Sequence, residues 1–448
     1  EITVRSPYLV GWLILSEKEG KSALSFIKMR TVKRDDIDME GNPIERDSIV
    51  FYDVEKYFRP DLGTEPKGLM EHIGVENDFG FSDAVYDEIV VMQGKGNWVE
   101  LNGNTMEHEV YTKEEFGNDL PENFNPVEAA MTFSSKLIRD KNGFIYLHKK
   151  ILANDYHAGS YISVPLANST KFKGLYQAHK LYNRNYYVIP ACTEDNSLVG
   201  IWDVGRYNEY SLDGTPSAIT ENSSRNDGNI VELTETTDEK HFKQMSKNIV
   251  SMVPATCGRD NRFDVTDSYL VPKWVALMEE NGTYSIRYFG LEGDTSGGIV
   301  TVTDFKEVPV NAGVFAAGYV DMAVFPHKKY VVIASGKEIW YCPYGGSTSN
   351  AVLLKKFDQN IVSISSHDVE EYSRDGDIYH NGHLGVALEN GDFFIYGIVE
   401  EDKMLDKVIV NQLYPSPETE GKDNNNFGKI VDTLYKFGNA TGVFTYTF

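Results

Sequence analysis

The chain has 448 residues and a formal net charge of -24, from 43 basic and 67 acidic side chains. That surface repels nucleic-acid phosphates and anionic membranes, so nucleic acid is excluded as a partner. No run of about 18 apolar residues occurs, which excludes a transmembrane helix within this chain. The aromatic share of 12%, with 27 Tyr and 23 Phe, favours sheets, where aromatic pairs stabilise the ladder.

In chain order, seven apolar strands run into a tight turn and return rich in aromatics. They begin near Trp12, Ile89, Leu137, Tyr186, Trp274, Tyr330 and Leu384. The clearest copies read KLIRDKNGFIYLHKK, KWVALMEENGTYSIRYFG, KYVVIASGKEIWYCPYGG and HLGVALENGDFFIYGIV. Each is a β-hairpin signature around a Gly that supplies positive φ. Most neighbours lie about fifty residues apart, the length of a four-stranded blade with its connections. The pattern predicts one all-β domain over residues 1–448, a single β-propeller of seven blades, with eight left open by two longer intervals. The first, 31–87, mixes strand-like and helix-like patterns. The second, 207–272, carries ETTDEKHFKQMSKNIV, the best short helix candidate in the chain. The C-terminal run FGKIVDTLYKFGNATGVFTYTF alternates again and is expected to close the ring by completing the first blade.

The opening SPYLVGWLILSEKEGKSALSFIKM and the closing FGKIVDTLYKFGNATGVF resemble the PKD-like family lipoproteins of Bacteroidetes bacteria. In that family a lipoprotein signal and Ig-like modules precede a C-terminal propeller, and only the propeller would match here. The resemblance implies a lipid-anchored protein of the outer membrane or cell surface, its anchor and Ig-like modules lying ahead of this chain. It also implies a glycan or other nutrient as ligand and SusC/SusD-like proteins as partners.

Chemical motifs are sparse. Ser224-Arg225-Asn226-Asp227-Gly228 is one loose copy of a sialidase Asp-box, and Trp202-Asp203 is one half of a WD repeat. No nucleophile elbow, phosphate-binding loop or zinc-type His spacing occurs. Three widely spaced cysteines, Cys192, Cys257 and Cys342, indicate neither a disulfide framework nor a metal site. No cofactor, metal site or catalytic residue is expected. Asp140-Lys141-Asn142-Gly143 and Asp375-Gly376-Asp377 are acidic turns that fall short of a calcium loop.

Two clusters and two aromatics remain as candidate ligand contacts. Asp155, Tyr156 and His157 place an acid, an aromatic ring and an imidazole together. His380 and His383 crowd the segment before the seventh hairpin. Trp98 and Tyr186 are bracketed by polar turn residues and could stack on sugar C–H faces, or simply pack between blades. The expected function is non-enzymatic ligand binding in bacterial nutrient uptake, with a glycan as ligand. The alternatives are a propeller glycosidase or polysaccharide lyase, which needs converging acids in the central funnel, and a protein scaffold of an uptake complex.

Overall fold

The computed structural model describes residues 8, 10–37, 41–75, 85–131, 135–149, 157, 159–167, 170–177, 188–202, 229–236, 240–255, 272–293, 298–326, 329–347, 349–372, 378–400, 408–415 and 425–436. Blade one has β1 (Gly11–Lys18), β2 (Lys21–Ile37) and β3 (Pro43–Arg59). Blade two has β4 (Pro66–Val75), β5 (Val85–Gln93), β6 (Val99–Asn102) and β7 (His108–Tyr111). Blade three has β8 (Pro126–Met131), β9 (Ser135–Asp140) and β10 (Ile145–Lys149), with Tyr161 bridging His148 on the outside. Blade four has β11 (Phe172–Leu175), β12 (Val188–Thr193), β13 (Leu198–Trp202) and β14 (Ile230–Thr234). Blade five has β15 (Asn248–Pro254), β16 (Lys273–Glu280), β17 (Thr283–Gly293) and β18 (Val300–Val310). Blade six has β19 (Tyr319–Phe325), β20 (Tyr330–Ser335), β21 (Glu338–Pro343) and β22 (Val352–Lys356). Blade seven has β23 (Ile361–Tyr372), β24 (Ile378–Leu388), β25 (Phe393–Glu400) and β26 (Val408–Tyr414). The last described strand, β27 (Lys429–Lys436), pairs antiparallel with β1, Trp12 facing Tyr435, and so becomes the first strand of blade one.

The fold is therefore all-β, a seven-bladed propeller closed by its C-terminal strand, as the hairpin rhythm predicts. All seven hairpins read from sequence join the second and third strands of their blades. Their turns supply the required backbone: Asn281 and Gly282, between β16 and β17, both have positive φ, 51° and 78°. The outer strands of blades four and five also pair in parallel, Leu233 opposite Val300, which merges two blades into one sheet.

The core is divided among the blade boundaries, one apolar cluster at each. Trp12 and Ile14 pack on Phe393 and Ile395 of blade seven, while Leu13 and Leu15 pack on Ile89 and Val91 of blade two. Val90 turns instead to Ile138 of blade three. Leu137 meets Ile189, Trp202 meets Trp274, Val275 meets Val331, and Val332 meets Leu384 around the rest of the ring. Strands such as WLIL and IVV read as continuous apolar runs because successive side chains, pointing to opposite faces, are buried against different neighbours. Cys192 and Cys342 belong to these clusters, and burial pushes their thiols up to about 11 and about 12.

The two longer intervals hold normal blades with long connections. In the first, the competing helical reading of IERDSIVFYDVEKYF and EPKGLMEHIGVEN gives way to β3 and β4. In the second, the expected helix does not form: described residues 240–247 run as bends into β15. Phe242 and Met245 are buried between blades four and five, and their backbone is held from β13 (Leu198 N to Phe242 O, 2.8 Å) and by Asn196 (Met245 N to Asn196 O, 2.9 Å). Two apolar anchors three residues apart suit a loop plug as well as a helix turn, and tertiary packing decides between them. Among the described residues no helix is long and apolar enough to cross a membrane.

Candidate functional site

The first strands of the blades line the central channel, and each breaks register at the same place. A bulge sets out Lys67, Val127, Lys173, Val250, Val320, Val362 and Val431 in turn. The next positions are Gly68, Glu128, Gly174, Ser251, Asp321, Ser363 and Asp432. The acids here bridge blades. Asp432 Oδ2 accepts from the Leu69 amide at 2.7 Å, Glu128 Oε2 from the Leu175 amide at 2.7 Å, and Asp321 Oδ2 from the Ile364 amide at 2.9 Å. Ser363 Oγ donates to Asp432 Oδ1 at 2.9 Å. Gly68 leaves room for the incoming carboxylate, since a Cβ there would stand 3.3 Å from Asp432 Oδ2, whereas the space at Gly174 is taken by the Tyr176 hydroxyl.

Against this belt lies a cavity of about 300 Å³, lined by residues of blades one to five. Its walls are mainly apolar, from Leu69, Met70, Met92, Leu175, Met252 and Leu434, with Glu71, Glu128, Tyr176 and Gln177 as its polar or polar-edged groups. Burial pushes the Tyr176 phenol far above its usual range, so it stays a hydrogen-bond donor. Gln177 is fixed: its side-chain oxygen accepts from the Met131 amide at 3.1 Å, and its carbonyl accepts from Trp274 Nε1 at 3.1 Å.

A second concentration of chemistry lies between blades two and three. Lys136 of β9 is fully buried, and its ammonium donates to Glu100 Oε2 of β6 at 2.5 Å and to Glu115 Oε1 at 2.8 Å. Glu88 of β5 lies 3.7 Å from the same nitrogen. Thr112 Oγ1 donates to the other Glu100 oxygen at 2.6 Å. His157 closes the set from the solvent side, with Nδ1 3.0 Å from Glu115 Oε1 and Nε2 3.0 Å from Glu109 Oε2.

Burial opposes every charge in the cluster, and the partners decide each outcome. Burial would lower Lys136, but the Glu100, Glu88 and Glu115 charges outweigh it and hold the ammonium charged. Burial would raise Glu100, but Lys136 holds it well below the carboxylate range. Burial dominates at Glu88 and pushes its carboxyl well up, with the Glu100 and Glu115 charges adding to the rise. His157 is pulled down by burial but raised overall, to about 9, by its hydrogen bonds to Glu109 and Glu115. A locked ammonium is no nucleophile; the cluster acts as a charge-balanced knot, with His157 and Glu109 as its exposed face.

Of the sequence candidates, His157 alone enters this cluster. Asp155, Tyr156 and Tyr186 lie outside the described residues, as do Cys257, Asp375 and the Asp-box-like segment at 224–228. Trp98 requires a correction as a sugar platform: it is 1% exposed, packed among Val90, Phe116 and Tyr146, because its position faces the next blade rather than solvent. His380 sits in β24 in register with Glu370, its side chain outside the description. His383 is buried in β24, 5.8 Å from the His367 ring, which stacks on Tyr435 at 3.7 Å. His157 and His383 lie at different blade boundaries and form no common site. Trp202 is a buried packing residue, and Asp140 caps the β9–β10 turn by accepting from the Asn142 and Phe144 amides.

Glu88, Glu100, Glu115 and Lys136 escape a motif search because they come from four separate elements. Their signal is a charge inside a buried strand pattern: Glu100 between Val99 and Leu101, and Lys136 beside Leu137.

No family model and no curated protein matches the chain. Among solved structures it is similar to the computationally designed Ika8 protein (9% identity, 96% of this chain and 93% of that one, TM-score 0.39). It is also similar to YCF48 from Cyanidioschyzon merolae (10% identity, 78% and 84%, TM-score 0.38) and to BBS1N crystallised with ARL6DN (12% identity, 78% and 81%, TM-score 0.38). The propeller itself rests on the strand pairing.

Proposed function

We propose that the chain is a non-enzymatic binding protein that takes a glycan fragment in its central channel. One observation carries this reading: the channel holds a mostly apolar cavity, and the belt acids Glu128, Asp321 and Asp432 are engaged in hydrogen bonds to the scaffold. Glu128 accepts from the Leu175 amide and from Arg139 Nε at 2.7 Å. Asp321 and Asp432 each use both oxygens on hydrogen bonds. What remains is a wall suited to recognition. The Tyr176 ring can meet the C–H face of a sugar, with its hydroxyl at the edge, and a cavity of about 300 Å³ matches the lower end of ligand pockets.

The biological setting follows from the family resemblance. In it the protein sits on the outer surface of a bacterium, lipid-anchored and next to SusC/SusD-like uptake proteins. The test is binding of the purified chain to a glycan panel, with reducing-sugar release assayed on the same samples. Saturable binding without release supports the reading. Release returns the glycosidase or lyase alternative, and neither result points to the protein-scaffold alternative.

A further inference from the structure

Resting on the glycan reading above and narrowing its ligand class, we propose that the sugar held in the channel cavity carries an acetamido group. Its carbonyl accepts from the Gln177 side-chain amide, its N–H donates to Glu128, and its methyl group lies on the apolar wall.

Gln177 and Glu128 meet at the boundary of blades three and four, and backbone amides orient both. The Met131 amide can only donate, so the Gln177 oxygen faces it, at 3.1 Å, and Nε2 points the other way. Gln177 lines the cavity, yet Nε2 has no hydrogen-bond partner among the described residues. Glu128 is engaged through one oxygen only: Oε2 accepts from the Leu175 amide and from Arg139 Nε, each at 2.7 Å. Oε1 accepts no hydrogen bond from the described residues, and the side chain is 37% exposed. Glu128 and Met131 share β8, and Leu175 lies two residues before Gln177, so the open donor and the open acceptor belong to one wall.

A secondary amide answers both groups at once, with one N–H to donate and one C=O to accept. Its methyl group suits the rest of the cavity, where Leu69, Met70, Met92 and Met252 form the wall. Thioether side chains adapt to a small apolar group of irregular shape. A hydroxyl in the same place has its donor and acceptor on one atom and no methyl to fill that wall, so a partner is left unpaired. Acidic sugars fit worse. Among the described residues lining the cavity none is basic, Glu71 and Glu128 are acidic, and the whole chain carries a net charge of -24.

The test reads the glycan panel in matched pairs on the full chain, by calorimetry. Chitotriose and cellotriose share a backbone and differ in the acetamido group; glycans ending in N-acetylgalactosamine or in galactose give a second pair. In at least one pair the acetamido member should bind at least about 10-fold more tightly than its partner. Gln177→Glu keeps an oxygen for the Met131 amide and puts a second oxygen in place of Nε2. It should lose that preference while its melting temperature stays close to wild type. The pairs are compared on wild type, so the answer stands even if Gln177→Glu folds poorly. Glycan binding that is indifferent to the acetamido group, or confined to glycans without one, overturns the proposal and leaves the glycan reading standing. Binding of no glycan at all overturns both. An undiminished preference in a well-folded Gln177→Glu also overturns the proposal.

Discussion

Asp321 of blade six accepts a hydrogen bond from the Ile364 amide of blade seven at 2.9 Å, across a blade boundary and inside the channel wall. The same carboxylate also accepts from the Met322 amide at 2.8 Å. A backbone amide in a bulged strand has lost its ladder partner, and the neighbouring acid replaces it. The Asp432–Leu69 and Glu128–Leu175 contacts repeat the device at two other boundaries.

Asp321 should make stability depend on pH. Burial raises its carboxyl to about 7; its hydrogen bonds from Ile364, Met322 and Ser363 only partly offset that, and the Asp432 charge adds to the rise. The unfolded carboxyl titrates near 3.9. The folded state therefore binds the proton more tightly. Its contribution to stability is fully present below about pH 4 and is lost as pH rises through about 7. Wild type should lose about 1–3 kcal/mol between pH 5 and pH 8 from this group. Asp321→Asn should flatten that slope in denaturant titrations. An unchanged slope would remove Asp321 as its source.

Ring closure gives a sharper test. β27 supplies the innermost strand of blade one, and Asp432 on it ties blades seven, one and two together through Ser363 and Leu69. Truncation before Lys429 should strip one edge of β1, bare Trp12, and yield aggregated protein on size exclusion. Asp432→Ala should leave a soluble protein that is less stable by about 1–3 kcal/mol, because buried amides lose their acceptor. A soluble, normally melting truncation would refute the closure.

The hairpins were legible in the sequence because their turns need Asn or Gly at positive φ and their strands are apolar on both faces. Asn281–Gly282 is one such turn, and Gly20, Gly143, Asn196, Gly336 and Gly391 take positive φ in others. The first strands were harder to see. They are bulged and mixed in composition, and their shared feature, a Val or Lys followed by Gly, Ser, Asp or Glu, emerges only once the seven are aligned in space. The helix expected over 235–250 gives way, in the described residues 240–247, to bends because Phe242 and Met245 answer to two blades, not to a helix face. His157 was legible as a chemically rich residue, but its partners were not. Glu88 and Lys136 stand 48 residues apart and meet only because blades two and three pack face to face.

Lys136 should prove essential to folding rather than to binding. Lys136→Met leaves Glu100 and Glu115 buried without their cation, and should cost about 3–5 kcal/mol in equilibrium unfolding. Adding Glu100→Gln and Glu115→Gln to the same chain removes the stranded charges and should recover part of that loss. A single substitution as stable as wild type would mean that water reaches the cluster freely.

Tyr176 separates recognition from stability. Its ring lines the channel cavity, and no described hydrogen bond of the scaffold runs through its hydroxyl. Tyr176→Ala removes the one aromatic face among the residues lining that cavity, so glycan affinity should fall at least about 10-fold, the range expected when an aromatic anchor is truncated. The melting temperature should change less than in Lys136→Met, because the ring is only half-buried. Tyr176→Phe keeps the face and loses the donor. If stacking carries recognition, Phe should retain most of the affinity; if the phenol does, Phe should bind as weakly as Ala. Unaltered binding in both variants would move the ligand out of the channel altogether.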